Sequence, residues 1–145
     1  MFQFNFLTSE FYEDYAHCPE IEKKETRPYI QIIMDCDGIE FAIPLRSNIK
    51  HMHVLWTDKE NKCGLDFSKA VVITKPEYIN HSTSVYIREN EFNQLRGKEF
   101  LAKEKLKKYI RDYKKAKSKL DIKRNELLCK LSTLQYFEEE LIDLL

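Results

Sequence analysis

The stretch that decides the fold is YIQIIMDCDGIEFAIPL, which covers residues 29–45. Its first part, from Tyr29 to Cys36, is rich in isoleucine and predicts a β-strand, because β-branched side chains pack well on a pleated sheet. Asp37 and Gly38 then form a pair typical of a two-residue hairpin turn, and Ile39 to Leu45 predict the returning strand. The stretch therefore predicts an antiparallel β-hairpin.

Strand patterns also precede and follow this hairpin. Phenylalanines alternate with other residues over positions 2–6, which predicts an N-terminal strand, and a short helix is expected to follow it as far as about residue 16. HMHVLWT at 51–57 and AVVITK at 70–75 are further strand candidates, since both contain β-branched residues next to other apolar ones. These segments predict a small antiparallel sheet within about residues 1–88.

The second part of the chain, about residues 90–145, has the period of an α-helix. It predicts one long amphipathic helix with a basic outer surface, bent or restarted near Asp121, and an apolar stripe from Leu127 to Leu141. We therefore expect an α+β fold, a single domain with its sheet first and its helices second. The apolar positions on one helical face are Phe92, Leu95, Ala102, Leu106, Tyr109, Tyr113, Ala116 and Leu120.

Charge is unevenly distributed along a chain whose formal net charge is zero. Between Arg96 and Arg124 there are thirteen lysines and arginines against four acidic residues. A positive surface on a neutral protein favours a polyanionic partner that binds one face. A lysine-rich helix surface that only keeps the protein in solution is the alternative.

Composition excludes several other classes of protein. Hydrophobic residues make up 43% and charged residues 33%, with 3 glycines and 4 prolines, which excludes collagen-like and plainly disordered chains. The four cysteines form no CxxC pair, and His17, His53 and His81 lack the spacing of metal ligands, so we expect no metal site. We expect no export signal and no membrane span, and hence a cytoplasmic protein with reduced thiols.

The residues that could carry chemistry follow the second strand of the hairpin: Arg46, Ser47, Asn48, Lys50 and His51. The sequence has no P-loop and no GxGxxG, HExxH or GxSxG motif, so nucleotide hydrolysis, dinucleotide chemistry and zinc proteolysis lose support. Metal-free RNA cleavage needs a base for the 2′-hydroxyl, a donor that stabilises the phosphorane and an acid for the leaving oxygen. The cluster holds every residue type required, and a plain polar loop is the alternative.

Two more residues are expected beside this cluster. Arg27 lies just before the first predicted strand of the hairpin and Tyr29 begins it, and the outer ends of two hairpin strands lie together. Asp66 and Lys69 are charged neighbours of an apolar strand. They could pair with each other or with the Arg46 cluster, or only shape a turn.

Four features occur in one order along the chain: RPYIQII at 27–33, GIEFAIPLRSNIKH at 38–51, GLDFSKAVVI at 64–73 and a lysine-rich helical half. Together they resemble the toxins of type III toxin–antitoxin systems, the ToxN, AbiQ, CptN and TenpN group. The resemblance covers roughly residues 1–120 and is closer to the CptN and TenpN branches than to ToxN itself.

This resemblance implies a metal-independent endoribonuclease without a cofactor, whose compact sheet is barrel-like as in the Kid and MazF toxins. Such toxins leave 2′,3′-cyclic phosphates, and a repeat-derived pseudoknot RNA inhibits them by binding directly in basic grooves. Toxin and antitoxin RNA then close into a ring-like multimeric assembly, and some members abort phage infection. The implied setting is the cytoplasm of a bacterium, with no membrane partner.

The strand-end motif of ToxN reads Thr-Ser-Pro-Lys, and the present chain matches it in part. Ser47 carries over directly, Arg46 replaces the threonine, and Lys50 stands one residue later than the pattern. We expect Lys50 or His51 to move protons, and Arg46 with Lys50 to stabilise the phosphorane. Ser47 and Asn48 are expected to orient the scissile phosphate. The expected RNA-binding residues are Arg27, Tyr29, Lys69, Lys103, Lys107, Lys108, Arg111, Lys114 and Lys115.

Two other classes of protein fit parts of the same sequence. A non-catalytic RNA-binding module would use the basic helix and the aromatic residues without cleaving anything. A structural or interaction protein would instead pair its C-terminal helices in a bundle through the stripe from Leu127 to Leu141. RNA cleavage in the presence of EDTA distinguishes these classes from the toxin.

Overall fold

The fold is seen in a computed structural model, which describes residues 1–23 and 28–144. Its strands are β1 (Gln3–Leu7), β2 (Gln31–Cys36), β3 (Ile39–Arg46), β4 (Val54–Asp58), β5 (Cys63–Asp66), β6 (Val71–Val72) and β7 (Ile79–Asn80). Its α-helices are α1 (Ser9–Asp14), α2 (Glu89–Leu95), α3 (Glu99–Lys117) and α4 (Lys123–Leu131). Short 3₁₀-helices cover Phe67–Lys69, Pro76–Tyr78 and Thr133–Tyr136.

The predicted hairpin is confirmed as the pair β2 and β3. The two strands are antiparallel along their whole length, with Ile33 opposite Ala42. The turn between them has positive φ at both central residues, 51° at Asp37 and 86° at Gly38. Two left-handed residues give the turn a twist that matches the twist of the strands, which is why this pair of residues favours a hairpin.

The hairpin lies in the middle of a seven-stranded antiparallel sheet with the order β4-β5-β3-β2-β1-β7. On its other edge β3 pairs with both β5 and β6. The expected α+β class is thereby confirmed. The sheet is open, because β4 and β7 at its two ends do not pair within the part of the chain that the structure describes.

Two strands are shorter than predicted. The third strand begins at Val54 rather than at position 51, because residues 51–53 bend and the His53 carbonyl accepts a hydrogen bond from the Phe67 N–H at 3.0 Å. The AVVITK segment contributes only Val71 and Val72 to the sheet. A 3₁₀-helix before it and Pro76 after it limit its pairing.

The single long helix of the prediction is wrong, since α2 and α3 are separate helices. Gly97 stands between them with a φ of 75°, a left-handed conformation that ends a helix and that glycine adopts without a Cβ penalty. A second break separates α3 from α4. The face of the predicted helix is nevertheless largely right, because its buried members are Leu95, Ala102, Leu106, Tyr109, Tyr113 and Ala116.

The core lies between the sheet and α3, where apolar side chains of both are fully buried. The C-terminal segment packs on the same core through Leu134, Phe137 and Leu141, while Leu127 and Leu131 stay exposed. Each fully buried aliphatic or aromatic side chain stabilises the fold by about 1.5–3 kcal/mol. Across residues 1–23 and 28–144, we find no helix with the length and apolar character needed to cross a membrane.

Candidate functional site

A fully buried carboxylate, that of Asp66, lies at the end of β5 with 0% of its surface exposed. β5 pairs with β3 so that Gly64 faces Arg46, and Arg46 Nη1 donates a hydrogen bond to Asp66 Oδ2 at 2.5 Å. The other oxygen, Oδ1, caps the 3₁₀-helix by accepting from the Ser68 N–H at 3.0 Å and from the Ser68 hydroxyl at 2.6 Å. The carboxylate is therefore buried with a full set of donors, the condition under which a buried charge is tolerated.

His51 binds the same carboxylate from the other side. Its Nδ1 accepts a hydrogen bond from the His53 backbone N–H at 3.0 Å, so the proton of the neutral ring is on Nε2. Nε2 lies 3.1 Å from Asp66 Oδ1 and 3.2 Å from Ser68 Oγ. Because the serine and the aspartate meet the same nitrogen, and the serine hydroxyl donates to the aspartate, these three residues do not form a nucleophilic triad.

The donors around Asp66 determine its charge. Burial by itself raises the pKa of this carboxyl, but the hydrogen bonds from His51, Ser68 and Arg46 outweigh burial and lower the pKa to about 2. Asp66 is therefore ionised at neutral pH. It links the first and the last residue of the segment 46–51, which we call the strand-end loop.

Arg46 is only 22% exposed and has several partners. Besides Asp66 it lies 3.4 Å from the Glu22 carboxylate, and its guanidinium carbon is 5.6 Å from the centre of the Tyr29 ring. The predicted proximity of Tyr29 and Arg46 is thus observed. Arg27, the other residue expected here, lies outside the described residues.

The middle of the strand-end loop is exposed to solvent. Ser47, Asn48 and Lys50 are exposed, and their side chains make no hydrogen bond to any residue that the structure describes. Ile49 anchors the loop, because its side chain is buried and its N–H donates to the Lys62 carbonyl at 3.1 Å. The predicted cluster is thus partly assembled, with its two ends joined by hydrogen bonds and its middle facing solvent.

One groove begins beside Ser47 and is called the Ser47 groove. It has a volume of about 330 Å³. Tyr86, which is 94% exposed, and Arg88 also line it. An exposed tyrosine and two arginines are residue types that contact single-stranded RNA. The lining residues include Tyr29, Arg46, Ser47, Tyr86 and Arg88.

A second and larger groove, the His53 groove, begins at the other end of the strand-end loop and runs between α3 and α4. Its volume is about 720 Å³, within the range of sites for nucleotide-sized ligands. The polar and basic lining residues are His51, His53, Ser68, Asp112, Lys115, Lys119, Arg124 and Asn125. The apolar ones include Ala116, Ile122, Leu127, Leu128 and Leu131.

His53 differs from His51 in its surroundings. Its ring lies edge-on to the Tyr109 ring with centroids 5.1 Å apart, and 5.6 Å from the centroid of His51. Neither ring nitrogen of His53 hydrogen-bonds to a residue in the ranges 1–23 and 28–144. Burial is the largest cause that lowers the pKa of His53.

The lysines of α3 fall on two flanks of the helix. On one flank Lys107 lies 3.9 Å from Asp37, Lys117 lies 3.3 Å from Glu138, and Lys114 donates to the Leu144 carbonyl. On the other flank Lys105 and Lys108 lie near His53, and Lys115 lines the His53 groove together with Lys119, which follows the C-terminal end of α3. Lys108 pairs with Asp112 at 2.7 Å, so the positive charges available to a ligand on the groove side are those of Lys105, Lys115 and Lys119, which have no ion pair within the described residues.

The expected RNA-binding lysines divide between these flanks. Lys103, Lys107 and Lys114 belong to the flank away from the groove, whereas Lys108 and Lys115 belong to the groove side. Arg111 is exposed between them. Lys69 is partly buried and donates to the Glu20 carboxylate at 3.3 Å and to the Leu131 carbonyl at 3.0 Å.

Three site residues were not among the predicted ones: Asp66, Ser68 and His53. Asp66 had pairing with the Arg46 cluster as one of its alternatives, and that pairing is what the structure contains. The available signal was an aspartate two residues before a serine at a strand end, a spacing typical of a capping turn. His53 had no signal beyond its position two residues after His51.

Comparison with known proteins gives no match. No protein-family model matches the chain, and neither a curated protein nor a solved structure is significantly similar to it.

In residues 1–23 and 28–144 no group of three or more histidine, cysteine or acidic side chains is placed to hold a metal ion.

Proposed function

We propose that this protein is a metal-independent endoribonuclease that acts as the toxin of a type III toxin–antitoxin system. The observation that carries the proposal is the Asp66 carboxylate, which binds Arg46 and His51 at the two ends of the strand-end loop. The loop that holds the predicted catalytic residues is thereby fixed at both ends. The sequence resemblance supplies the class of enzyme.

A fixed loop supports catalysis because groups that are already in place need no reorganisation in the transition state. Ile49 holds the loop at a third point, so Ser47, Asn48 and Lys50 are displayed on a supported backbone. In the proposal Lys50 stabilises the phosphorane, and Ser47 and Asn48 orient the scissile phosphate. Arg46 and His51 position the loop through Asp66.

The RNA partners in this proposal bind on the basic side of the molecule. Substrate RNA occupies the Ser47 groove and the His53 groove, which begin at opposite ends of the strand-end loop. The antitoxin is a pseudoknot RNA that covers both grooves and closes toxin and RNA into a multimeric ring. The barrel-like form of the sheet, the bacterial cytoplasm and a part in abortive phage infection belong to the same proposal.

A non-catalytic RNA-binding module is the second candidate, and one observation favours it. The charge of Arg46 is balanced by Asp66 and Glu22, and both nitrogens of His51 are occupied by hydrogen bonds. Two of the five predicted catalytic residues are therefore engaged within the protein. Such a module would keep the basic grooves and bind RNA without cleaving it.

Purified full-length protein incubated with long single-stranded RNA in EDTA separates the two functions. We expect cleavage by the wild type and a loss of about 10²–10⁴-fold in Ser47→Ala and in Lys50→Ala, with RNA binding retained. The matched control is Lys59→Ala, an exposed lysine in the turn between β4 and β5, which should cleave like the wild type. Intact RNA that is tightly bound by the wild type would overturn the toxin and support the binding module.

A further inference from the structure

We propose that the nucleotide whose 2′-hydroxyl attacks the scissile phosphate binds in the His53 groove, where the groove meets the strand-end loop, and that His53 is a catalytic acid–base residue of the cleavage. The inference rests on the proposed function and deepens it, because it identifies which histidine meets the substrate. The expectation from the sequence was that His51 or Lys50 moves the protons. The geometry of the two histidines is the reason to choose His53.

His51 is held by the protein at both ring nitrogens. Its Nδ1 accepts from the His53 backbone N–H and its Nε2 donates to Asp66 Oδ1. A proton acceptor for a substrate hydroxyl needs a nitrogen lone pair within hydrogen-bond reach of that hydroxyl. His51 has no such lone pair to offer while these hydrogen bonds persist, so it acts as a positioning residue that fixes the bend at residues 51–53.

His53 has the opposite properties. It is half-buried in the wall of the groove, Tyr109 holds its ring edge-on, and its ring nitrogens make no hydrogen bond within the described residues. Its ring centroid is 5.6 Å from that of His51, so the strand-end loop and the groove meet at this point. A histidine with an unused lone pair at the wall of an open basic groove is the residue able to accept a substrate proton.

The groove has matching walls for one nucleotide. Lys115, Lys119 and Arg124 supply positive charge for the phosphates on either side of the scissile bond. Leu127 and Leu131, which are 52% and 47% exposed, supply an apolar surface on which a base can lie. An unpaired RNA nucleotide combines these two chemistries, an anionic backbone and a flat apolar face.

The cleavage step then balances where the groove meets the strand-end loop. Neutral His53 accepts the proton of the 2′-hydroxyl, the 2′-oxygen forms a bond to phosphorus, and the bond between phosphorus and the 5′-oxygen breaks. The Lys115 ammonium donates a proton to the departing 5′-oxygen. The products are a 2′,3′-cyclic phosphate and a 5′-hydroxyl, and His53 and Lys115 return to their starting states by proton exchange with water.

Burial of His53 favours the neutral ring that this step requires. It is the largest cause that lowers the pKa of His53 below the ordinary value of histidine. The groups that act on it include residues of its own bend, of β5 and of α3. They are His51, Asp66, Tyr109, Lys105, Lys108 and Asp112.

The test compares His53→Gln with the matched control His81→Gln, an exposed histidine outside the groove. Each full-length variant is incubated with long single-stranded RNA in EDTA across pH 5 to 8, roughly the range in which histidine titrates. We expect His53→Gln to lose about 10²–10⁴-fold in cleavage rate, to keep RNA binding, and to lose the acidic limb of the wild-type pH profile. His81→Gln should retain both rate and profile.

The outcomes separate this inference from the proposed function. If the wild type cleaves RNA and His53→Gln cleaves within about 3-fold of it, His53 is not the acid–base residue and the proposed function stands. If the wild type leaves RNA intact, the proposed function itself fails. Should His53→Gln fail to fold, the cleavage rate of Lys115→Ala is measured in its place. Lys130→Ala, an exposed lysine on α4, is its control. A cleavage rate of Lys115→Ala equal to that of the wild type would overturn the inference.

Discussion

Asp66 is the single residue on which most of the site depends. Its carboxylate, which has no exposed surface, meets Arg46, His51 and Ser68. A buried charge of this kind is tolerated only while its partners remain, and removing one partner leaves the others without compensation. The residue thus couples the stability of the fold to the geometry of the strand-end loop.

Replacing Asp66 by asparagine should destabilise the protein by about 3 kcal/mol, because the Arg46 guanidinium keeps its partly buried position without a carboxylate partner. Urea denaturation followed by circular dichroism measures the free energy of unfolding. Asp143→Asn, an exposed carboxylate near the C-terminus, is the control and should change it by less than about 0.5 kcal/mol. Equal changes in the free energy of unfolding for the two substitutions would contradict the stabilising role of Asp66.

The stability of the wild type should depend on pH through Asp66. The pKa of this carboxyl is lowered from its ordinary value of 3.8 to about 2 in the folded protein, so the unfolded chain binds the proton more tightly. The resulting stabilisation, about 2 kcal/mol, is complete above about pH 5 and is lost as the pH falls toward 2. Denaturation at pH 5 and at pH 2.5 should show this loss in the wild type and a smaller one in Asp66→Asn; parallel losses in both would contradict it.

At the scale of the elements, two glycines differ in why they are needed. Gly97 separates α2 from α3 with a φ of 75°, and an added Cβ would meet no atom within 4 Å. Gly64 lies in β5, where an added Cβ would come within 2.5 Å of the Leu55 carbonyl oxygen and 3.0 Å of Trp56 Cα. The first position constrains the backbone conformation, and the second constrains the space between two paired strands.

Alanine should therefore be worse at position 64 than at position 97. Gly97→Ala is expected to cost about 1–2 kcal/mol, the penalty of a left-handed residue with a Cβ. Gly64→Ala forces β4 and β5 apart, and overpacking of this kind against backbone atoms costs about 1–3 kcal/mol or more. Thermal unfolding of the two variants gives the order directly, and a lower melting temperature for Gly97→Ala would reverse it.

The elements that could be predicted from the sequence are those decided locally. The hairpin followed from a β-branched run around Asp37 and Gly38, and the buried face of α3 followed from its 3.6-residue period. The break at Gly97 was missed because the apolar period continues across it, and periodicity carries no information about φ. The bend at residues 51–53 was missed because it depends on the hydrogen bond from the Phe67 N–H to the His53 carbonyl, which a local sequence pattern does not predict.

In the candidate site, too, the contacts that are set locally could be predicted from the sequence, and those that depend on long-range strand pairing could not. The contact of Tyr29 with Arg46 follows from the hairpin, since both residues lie at its open end. The role of Asp66 depends on the pairing of β5 with β3, a long-range contact that the sequence does not specify. For the exposed middle of the strand-end loop, the sequence indicates which residue types are present but not where their side chains lie.

For the whole molecule, the division of the lysines on and after α3 predicts that the proposed RNA binding is asymmetric. Lys115 and Lys119 line the groove and have no ion pair within the described residues, whereas Lys107, Lys114 and Lys117 already have partners within the protein. Each phosphate contact adds a term to the dependence of binding on salt, because counterions are released. Only the groove side should contribute such terms fully.

Removing both Lys115 and Lys119 should therefore weaken RNA binding more than removing both Lys107 and Lys114. For single-stranded RNA we expect the slope of log affinity against log salt to fall by about 0.7 for each groove lysine that is lost. Fluorescence anisotropy at several salt concentrations measures this slope for both double variants. A larger change in the salt slope for the Lys107→Ala, Lys114→Ala double variant would indicate that RNA binds on the other flank of α3.

The central claim, that the protein cleaves RNA without a metal ion, is tested most directly by the chemical ends of the products. Wild-type protein is incubated with a defined single-stranded RNA in EDTA, and the fragments are analysed by mass spectrometry. We expect each cut to leave a 2′,3′-cyclic phosphate at the end of the upstream fragment and a 5′-hydroxyl at the start of the downstream fragment. RNA that stays intact, or fragments with a 3′-hydroxyl and a 5′-phosphate, would contradict it.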